Sequence, residues 1–402
     1  MFLVTVPPVS CESVRYLTPW IAIWTCLALT PDAWAQIHEH GGAAAGPGWS
    51  VAIDAQAFVS ANLQVRKFTD FYQVESPNWF MAAARRVTGH HRLAFTLMMS
   101  LEPFTLRRLG SAQVFQTGET LDGAPLIDYQ HPHDLIMGLE ASYAWAPADR
   151  TRFWVRGGPV GEATLGPPAT MHRASAAGNP TMPLSHHQLD STHISRSLIA
   201  VGITHRVLTF EASAFKGREP DEDRLDLDLG APDSWAARVS FASGAWSGQV
   251  SGGHLRQPEP NEPFDVDKFT ASMAYHRRAW DGDLNLTVAA GRNHELYGNK
   301  DAWLIEGAWE RSAHAVHVRV ESAVKNILTA GGLHPPGFTH PHITSRVGAA
   351  TLGYAHTLGR TGAGRFNLGG DGTMHAVPRN LRDSYGARPF SAHVYLHWTV
   401  GR

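Results

Sequence analysis

Asp134–Trp145 reads DLIMGLEASYAW. In an extended chain Leu135, Met137, Leu139, Ala141, Tyr143 and Trp145 share one face, and Asp134, Ile136, Gly138, Glu140, Ser142 and Ala144 share the other. Side chains alternate across a strand with period two, so the stretch predicts a strand with one apolar face ending on aromatics. The rhythm recurs outward from here. Leu93, Phe95, Leu97, Met99 and Leu101 alternate with Ala94, Thr96, Met98, Ser100 and Glu102. Val316, Val318 and Val320 alternate with His317, Arg319 and Glu321, and Phe390, Ala392, Val394, Leu396, Trp398 and Val400 with Ser391, His393, Tyr395, His397 and Thr399. Segments of about ten residues with one apolar face are what the wall of a transmembrane barrel requires.

A soluble β-sandwich alternates too, so the connections have to decide. Candidate strands begin near Val51, Trp79, Arg92, Asp134, Arg152, Thr192, Leu208, Ser234, Trp246, Lys268, Leu284, Ala302, His314, Thr344, Arg365 and Phe390. Links after even-numbered strands are short: VTGHH, APADR, HRV, SGAW, AWDGD, ERSAH and GRTGAG. Those after odd-numbered strands are long: 103–131, 157–192, 216–233, 256–267, 326–343 and 375–389. Short turns on one rim and long loops on the other are the pattern of outer-membrane barrels. The expected fold is therefore all-β, a single antiparallel transmembrane β-barrel over residues 51–402, with about sixteen strands and fourteen or eighteen as the alternatives. Closure pairs every backbone polar group without an edge. Glu140, Glu211, Glu306, Glu310, Glu321, His317 and Arg319 are expected to line its lumen.

Residues 1–35 read as a signal peptide: Arg15 precedes the apolar run Leu17–Leu29, and Ala33-Trp34-Ala35 supplies a small-x-small cleavage pattern. Residues 36–50 are expected to be a flexible N-terminal segment. Cys11 and Cys26 are the chain's two cysteines and both fall in the signal, so disulfides and thiolate metal sites are excluded from the mature chain. A net charge of −2 gives no footprint for nucleic acid. The expected location is the outer membrane of a Gram-negative bacterium. Its lipid and lipopolysaccharide, the barrel assembly machinery and a metal ion are the expected partners.

Gly157–His193, GGPVGEATLGPPATMHRASAAGNPTMPLSHHQLDSTH, is too long for an ordinary connection and reads as a binding device or a plug. It carries Met171, His172, His186, His187, Asp190 and His193. His-Pro-His occurs at 131–133 and again at 340–342, and extended backbone sends residues i and i+2 to the same side. The candidate metal ligands are His131, His133, His172, His186, His187, His193, His340 and His342. Met171 is an accessory, and Asp134 and Asp190 are ligands or orienting partners. Imidazole suits Cu or Zn, and thioether favours Cu(I). His38, third from a mature N-terminus at Gln36, would complete a square-planar nitrogen set for Cu(II). The bland reading is a hydrogen-bonded plug with no ion, in a general porin-like channel.

A lipid hydrolase is a third reading, with Ser185-His186, Ser191–His193 and Ser391–His393 supplying the residue types; no G-x-S-x-G supports it. The acidic stretch Arg218–Asp228 is a divalent-cation loop or, more simply, a solvated one.

QTGET, DYQHPHDLIMGLEASY, GPVGEATLGPPATMHR, SHHQLDSTHIS and FKGREPDEDR resemble motifs of uncharacterised Gram-negative outer-membrane β-barrel proteins associated with copper and heavy-metal resistance systems. The resemblance spans most of the mature chain. It implies an outer-membrane barrel and points to copper first. In role the chain is also distantly similar to copper-resistance outer-membrane protein B. It lacks that family's long Met/His-rich N-terminal region and keeps only IHEHGG.

Overall fold

The computed structural model describes residues 48–260, 262, 264–333 and 340–401. The signal peptide, most of the N-terminal segment and His38 lie outside them. The wall strands are β1 (Trp49–Arg66), β2 (Thr69–Glu75 continued by Asn78–Thr88), β3 (His91–Met99), β4 (Ile136–Ala148), β5 (Thr151–Gly161), β6 (Ser195–His205), β7 (Leu208–Lys216) and β8 (Ser234–Ser243). They continue as β9 (Trp246–Leu255), β10 (Val266–Ala279), β11 (Gly282–Glu295), β12 (Gly298–Arg311), β13 (His314–Leu333), β14 (His342–Thr361), β15 (Gly364–Ala376) and β16 (Phe390–Val400). Each pairs antiparallel with its sequence neighbours, and β1 pairs with β16 from Ala55↔Val400 to Val65↔Phe390. The sheet is therefore closed, with sixteen strands.

The two pieces of β2 count as one wall strand because both pair with β1, the upper through Ser60↔Glu75 to Arg66↔Thr69 and the lower through Trp49↔Arg86 to Ala57↔Asn78. The break falls at Ser76-Pro77, where proline has no N–H for the ladder. Asn78 bridges it, donating to the Ser76 carbonyl (2.7 Å) and accepting the Leu101 N–H (2.7 Å).

The alternation read from the sequence holds along most of the wall. Val59, Phe95, Leu139, Val239, Val250, Val288, Ile305 and Leu396 are exposed on the outer face, whereas Glu211, Glu306, His317, Arg319 and Glu321 are buried on the inner one. Trp145, Phe153, Trp246 and Trp280 stand exposed near the short turns, an aromatic girdle of the kind that marks a membrane interface. All seven short links are two-residue turns, and Gly89 and Gly244 take the left-handed conformation such turns need (φ 58° and 59°).

The structure corrects the sequence reading at four points. The links after β1 and β11 are two-residue turns, Lys67-Phe68 and Leu296-Tyr297, so not every connection on the loop rim is long. Strand β13 runs on to Leu333 because its pairing with β14 continues to Leu328↔His342, lifting that hairpin above its neighbours. Gly157–Gly161 belongs to β5 rather than to the long loop. A Cβ at Gly158 would lie 1.9 Å from the Leu139 carbonyl oxygen, so only glycine lets the backbones approach this closely. Finally, Met137 faces inward. The register passes from Met98↔Gly138 to Met99↔Ile136, leaving Met137 as the extra residue of a bulge.

Val288 sits at mid-strand in β11 and is half exposed on the apolar face. Val288→Arg is expected to destabilise the barrel by about 2–4 kcal/mol. Reversible urea unfolding into phospholipid bilayers measures this; an unchanged midpoint would remove the lipid-facing assignment of this surface.

Candidate functional site

The segment 162–194 leaves the wall between β5 and β6 and folds into the lumen, reaching the far strands β11–β13. Apolar contacts seat its first turn: Leu165 packs with Leu198, Phe215, Ala236, Leu255 and Val266. Polar contacts then follow the wall. Thr164 meets Ser213 (2.9 Å), Ser175 meets Thr287 (2.7 Å), and Ser185 donates to Glu321 (3.1 Å). From the opposite side Tyr395 donates its hydroxyl to the Gly178 carbonyl (2.9 Å). The centre is Arg173, fully enclosed, with Nε on Glu306 (2.6 Å) and Nη1 on Asp190 (2.6 Å). Arg319 joins Glu306 from β13 (3.3 Å). These charges are stable in the lumen only because each has a partner.

Most of the candidate metal ligands collect around this plug. Four imidazoles form a file: ring centroids are 5.6 Å apart for His133–His193, 5.2 Å for His193–His186 and 5.5 Å for His186–His187. Each uses Nδ1 on an oxygen. His133 takes Glu102 (2.8 Å), His186 the Asp190 carboxylate (2.7 Å), His193 the Asp190 carbonyl (2.9 Å) and His187 Glu259 (2.6 Å). Such partners fix ring and tautomer. Burial pushes the His186 imidazole down to about 4 against the pull of Asp190, and lowers His193 well below its usual value, with His186 and His133 adding to the effect. Both rings are therefore neutral at physiological pH.

The tightest convergence lies at one end of this file. Glu119, His131 and Glu219 have ligand atoms within 4.8 Å of one another, and so do His187, Glu219 and Glu259. Glu219 is common to both groups, and four loops contribute. Burial would raise the Glu119 carboxyl, but His131, His187 and Arg224 hold it down to about 2. Glu219 is driven the other way, well above the usual range, by burial and by Glu259 and Glu119. Lys268 and Arg224 oppose that rise. The sequence does not single out Glu119 or Glu259, and it offers Glu219 only within the acidic stretch Arg218–Asp228. The three sit far apart in the chain.

The other candidates have different roles. Asp134 is an ion-pair partner of Arg196 and Arg224, and Asp190 orients His186 while pairing with Arg173. His172 packs edge-on against Trp79 (5.1 Å), and Met171 lies in an apolar cluster beside it. His340 and His342 enter β14, where the His342 ring contacts the His340 carbonyl (3.4 Å). Among the described residues, no converging group contains either one. Asp221, Asp226 and Asp228 do approach one another in the acidic loop, but at the solvent surface.

Ser391 shares a hydrogen bond with His375 Nε2 (2.8 Å), but both are buried, and His375 Nδ1 has no hydrogen-bond partner. A hydrolytic pair on the membrane-facing side would need an outward serine and an orienting group on that nitrogen.

The architecture has solved counterparts. The anion-selective porin from Comamonas acidovorans superposes with a TM-score of 0.51 at 12% identity, over 88% of this chain and 100% of that one. Salmonella typhi OmpF, in its complex with daunomycin, gives 0.51 at 8% identity, over 87% and 97%. The chain has the porin fold. No family model and no curated protein matches it. At these identities the likeness concerns the barrel alone, and what this porin-type barrel carries inside has to be read from its own residues.

Two expectations follow for the plug. Arg173→Ala strands Glu306 and Asp190 without their shared cation, a change that costs about 3–5 kcal/mol in buried pairs. It is expected to lower the unfolding midpoint and to raise single-channel conductance in planar bilayers; unchanged conductance would mean the plug is held by its other contacts. Glu162 offers a pH test. Burial pushes its carboxyl up to about 8 against Arg238 and Arg156, with Glu140 and Glu211 adding to the push. The unfolded carboxyl ionises near 4.5, so the folded state is penalised increasingly as pH rises from 4.5 to 8. Glu162→Gln should leave stability unchanged at pH 4 and raise it at pH 9, by roughly 5 kcal/mol at most.

Proposed function

We propose that this protein is an outer-membrane barrel of the porin type that takes a divalent transition-metal ion into its lumen. The observation that carries the reading is the pair of overlapping ligand groups around Glu219, where three carboxylates and two imidazoles converge from four loops. A bound divalent cation would compete with Lys268 and Arg224 for these carboxylates and favour the ionised form of Glu219. Nitrogen and oxygen donors without thiolate suit Cu(II) and Zn(II), and intrinsic affinity favours Cu(II). The motif resemblance to barrels found beside copper-resistance systems supports the same choice. A cavity of about 40 Å³, lined by His187, Glu259 and Glu262 and also by Lys268, Lys300 and Lys325, adjoins the cluster, enough for an ion and a water.

The second reading is a porin-like channel whose plug is structural, favoured by the number of contacts that pin segment 162–194 to the wall. Titration calorimetry on the refolded chain with Cu(II) and Zn(II) separates the two. The proposal expects stoichiometric binding that weakens at least ~100-fold in His131→Ala/His187→Ala/Glu219→Gln, since ligands matter no less than the groups that orient them. His340→Ala/His342→Ala should bind as the parent does. Absence of binding, with ion conductance retained, would leave the channel reading alone.

A further inference from the structure

Four of the nine methionines gather in one place inside the lumen. Met81 comes from β2, Met98 from β3, Met137 from β4 and Met171 from the plug, and all are buried in one cluster with Trp79 and Ala169. Together with His172 and His193 they line a cavity of about 260 Å³. Met171 also lines a second cavity of about 70 Å³ on the loop side, whose wall includes His131, His133 and Met182. It is the only residue common to the two linings and so stands as the partition between them.

We infer that the thioethers of Met81, Met98, Met137 and Met171, with Nε2 of His193, form a binding site for a soft monovalent metal ion such as Cu(I) or Ag(I). Thioether sulfur is a neutral, polarisable donor that selects such ions over hard divalent ones. Methionine is also a common gap-filler in apolar cores, which is the competing explanation. Two observations weigh against it. Met137 is in the lumen only because a bulge turns it away from the outer face. And His193 gives Nδ1–H to the Asp190 carbonyl, leaving Nε2 as a lone pair that is buried without a hydrogen-bond partner. A buried nitrogen lone pair on the wall of the same cavity as four thioethers is costly for a filler and useful for a ligand set.

The donor set carries no carboxylate, although the same cavity is lined by Arg85, Arg92, Arg152 and Arg156 and by Glu140 and Glu162. The proposed selectivity rests on sulfur rather than on charge. The site shares no residue with the Glu119–Glu219–Glu259 cluster and stands whether or not that cluster binds a metal.

Ag(I), a redox-inert stand-in for Cu(I), tests the inference on the refolded full chain in detergent micelles. The expected result is one Ag(I) retained per chain after desalting, with sulfur scatterers in the silver absorption spectrum. Met81→Leu/Met98→Leu/Met137→Leu/Met171→Leu keeps side-chain volume and should reduce affinity at least ~100-fold while preserving the heat-modifiable gel shift of a folded barrel. Met99→Leu/Met273→Leu/Met374→Leu and His131→Ala/His187→Ala/Glu219→Gln should both retain Ag(I). Undiminished binding by the folded quadruple variant would overturn the site, as would no retained silver or no Ag–S scattering in the parent chain. The spectrum of the parent decides the matter even if the quadruple variant does not fold.

Discussion

Everything in this molecule depends on the hydrogen bonds between its first and last strands. The ladder from Ala55↔Val400 to Val65↔Phe390 closes the sheet, so no strand leaves its N–H and C=O groups unpaired. Once the sheet is closed, its two faces meet different solvents. The outer face can be as apolar as Val250, Val288 and Ile305 make it. The inner face keeps the polar half of every alternation, and it encloses a space that has to be filled with water, with protein, or with both.

In this barrel protein fills much of it. Segment 162–194 acts as part of the barrel's core, joining a small apolar seat around Leu165 to an ionic centre at Arg173. The ionic centre fixes position more than it adds stability. Burying Arg173, Glu306, Asp190 and Arg319 costs desolvation that their mutual attraction largely offsets, but any other docking of the segment would leave one of them alone. What remains open is divided into separate cavities. The chemistry changes across the partition, from imidazole and carboxylate near the loops to thioether deeper in the lumen.

Much of the wall was legible from local pattern. Alternation in Phe390–Val400 and turns such as Ala279–Gly282 are properties of adjacent residues, and local physics decides them. The bulge at Met137 escaped because it is a mismatch between strands, invisible in either one. Residue type and spacing point to His131 and His187 as candidate ligands, but not to the set of carboxylates they meet. Glu119, Glu219 and Glu259 meet only through the packing of separate loops. Asp134 illustrates the converse. Its place beside His-Pro-His suggests a ligand or an orienting partner, and Arg196, sixty-two residues on, pairs with it. The two His-Pro-His motifs look equivalent as sequence and part company in space, since the second begins a strand that the first never touches in any converging group.

The partners of the plug also lie late in the chain. Arg173 and Asp190 are made long before Glu306 and Arg319, and Gly178 waits for Tyr395 on the final strand. During assembly the segment thus has no lumen to enter until the wall that receives it has been threaded into place. Contacts this remote in sequence are slow to form. An incompletely closed barrel would hold its plug in water with the ionic centre unmade, and the same step that seals the edge would draw it inward. Closure and occlusion are then a single event, and a half-assembled barrel is a leaky one.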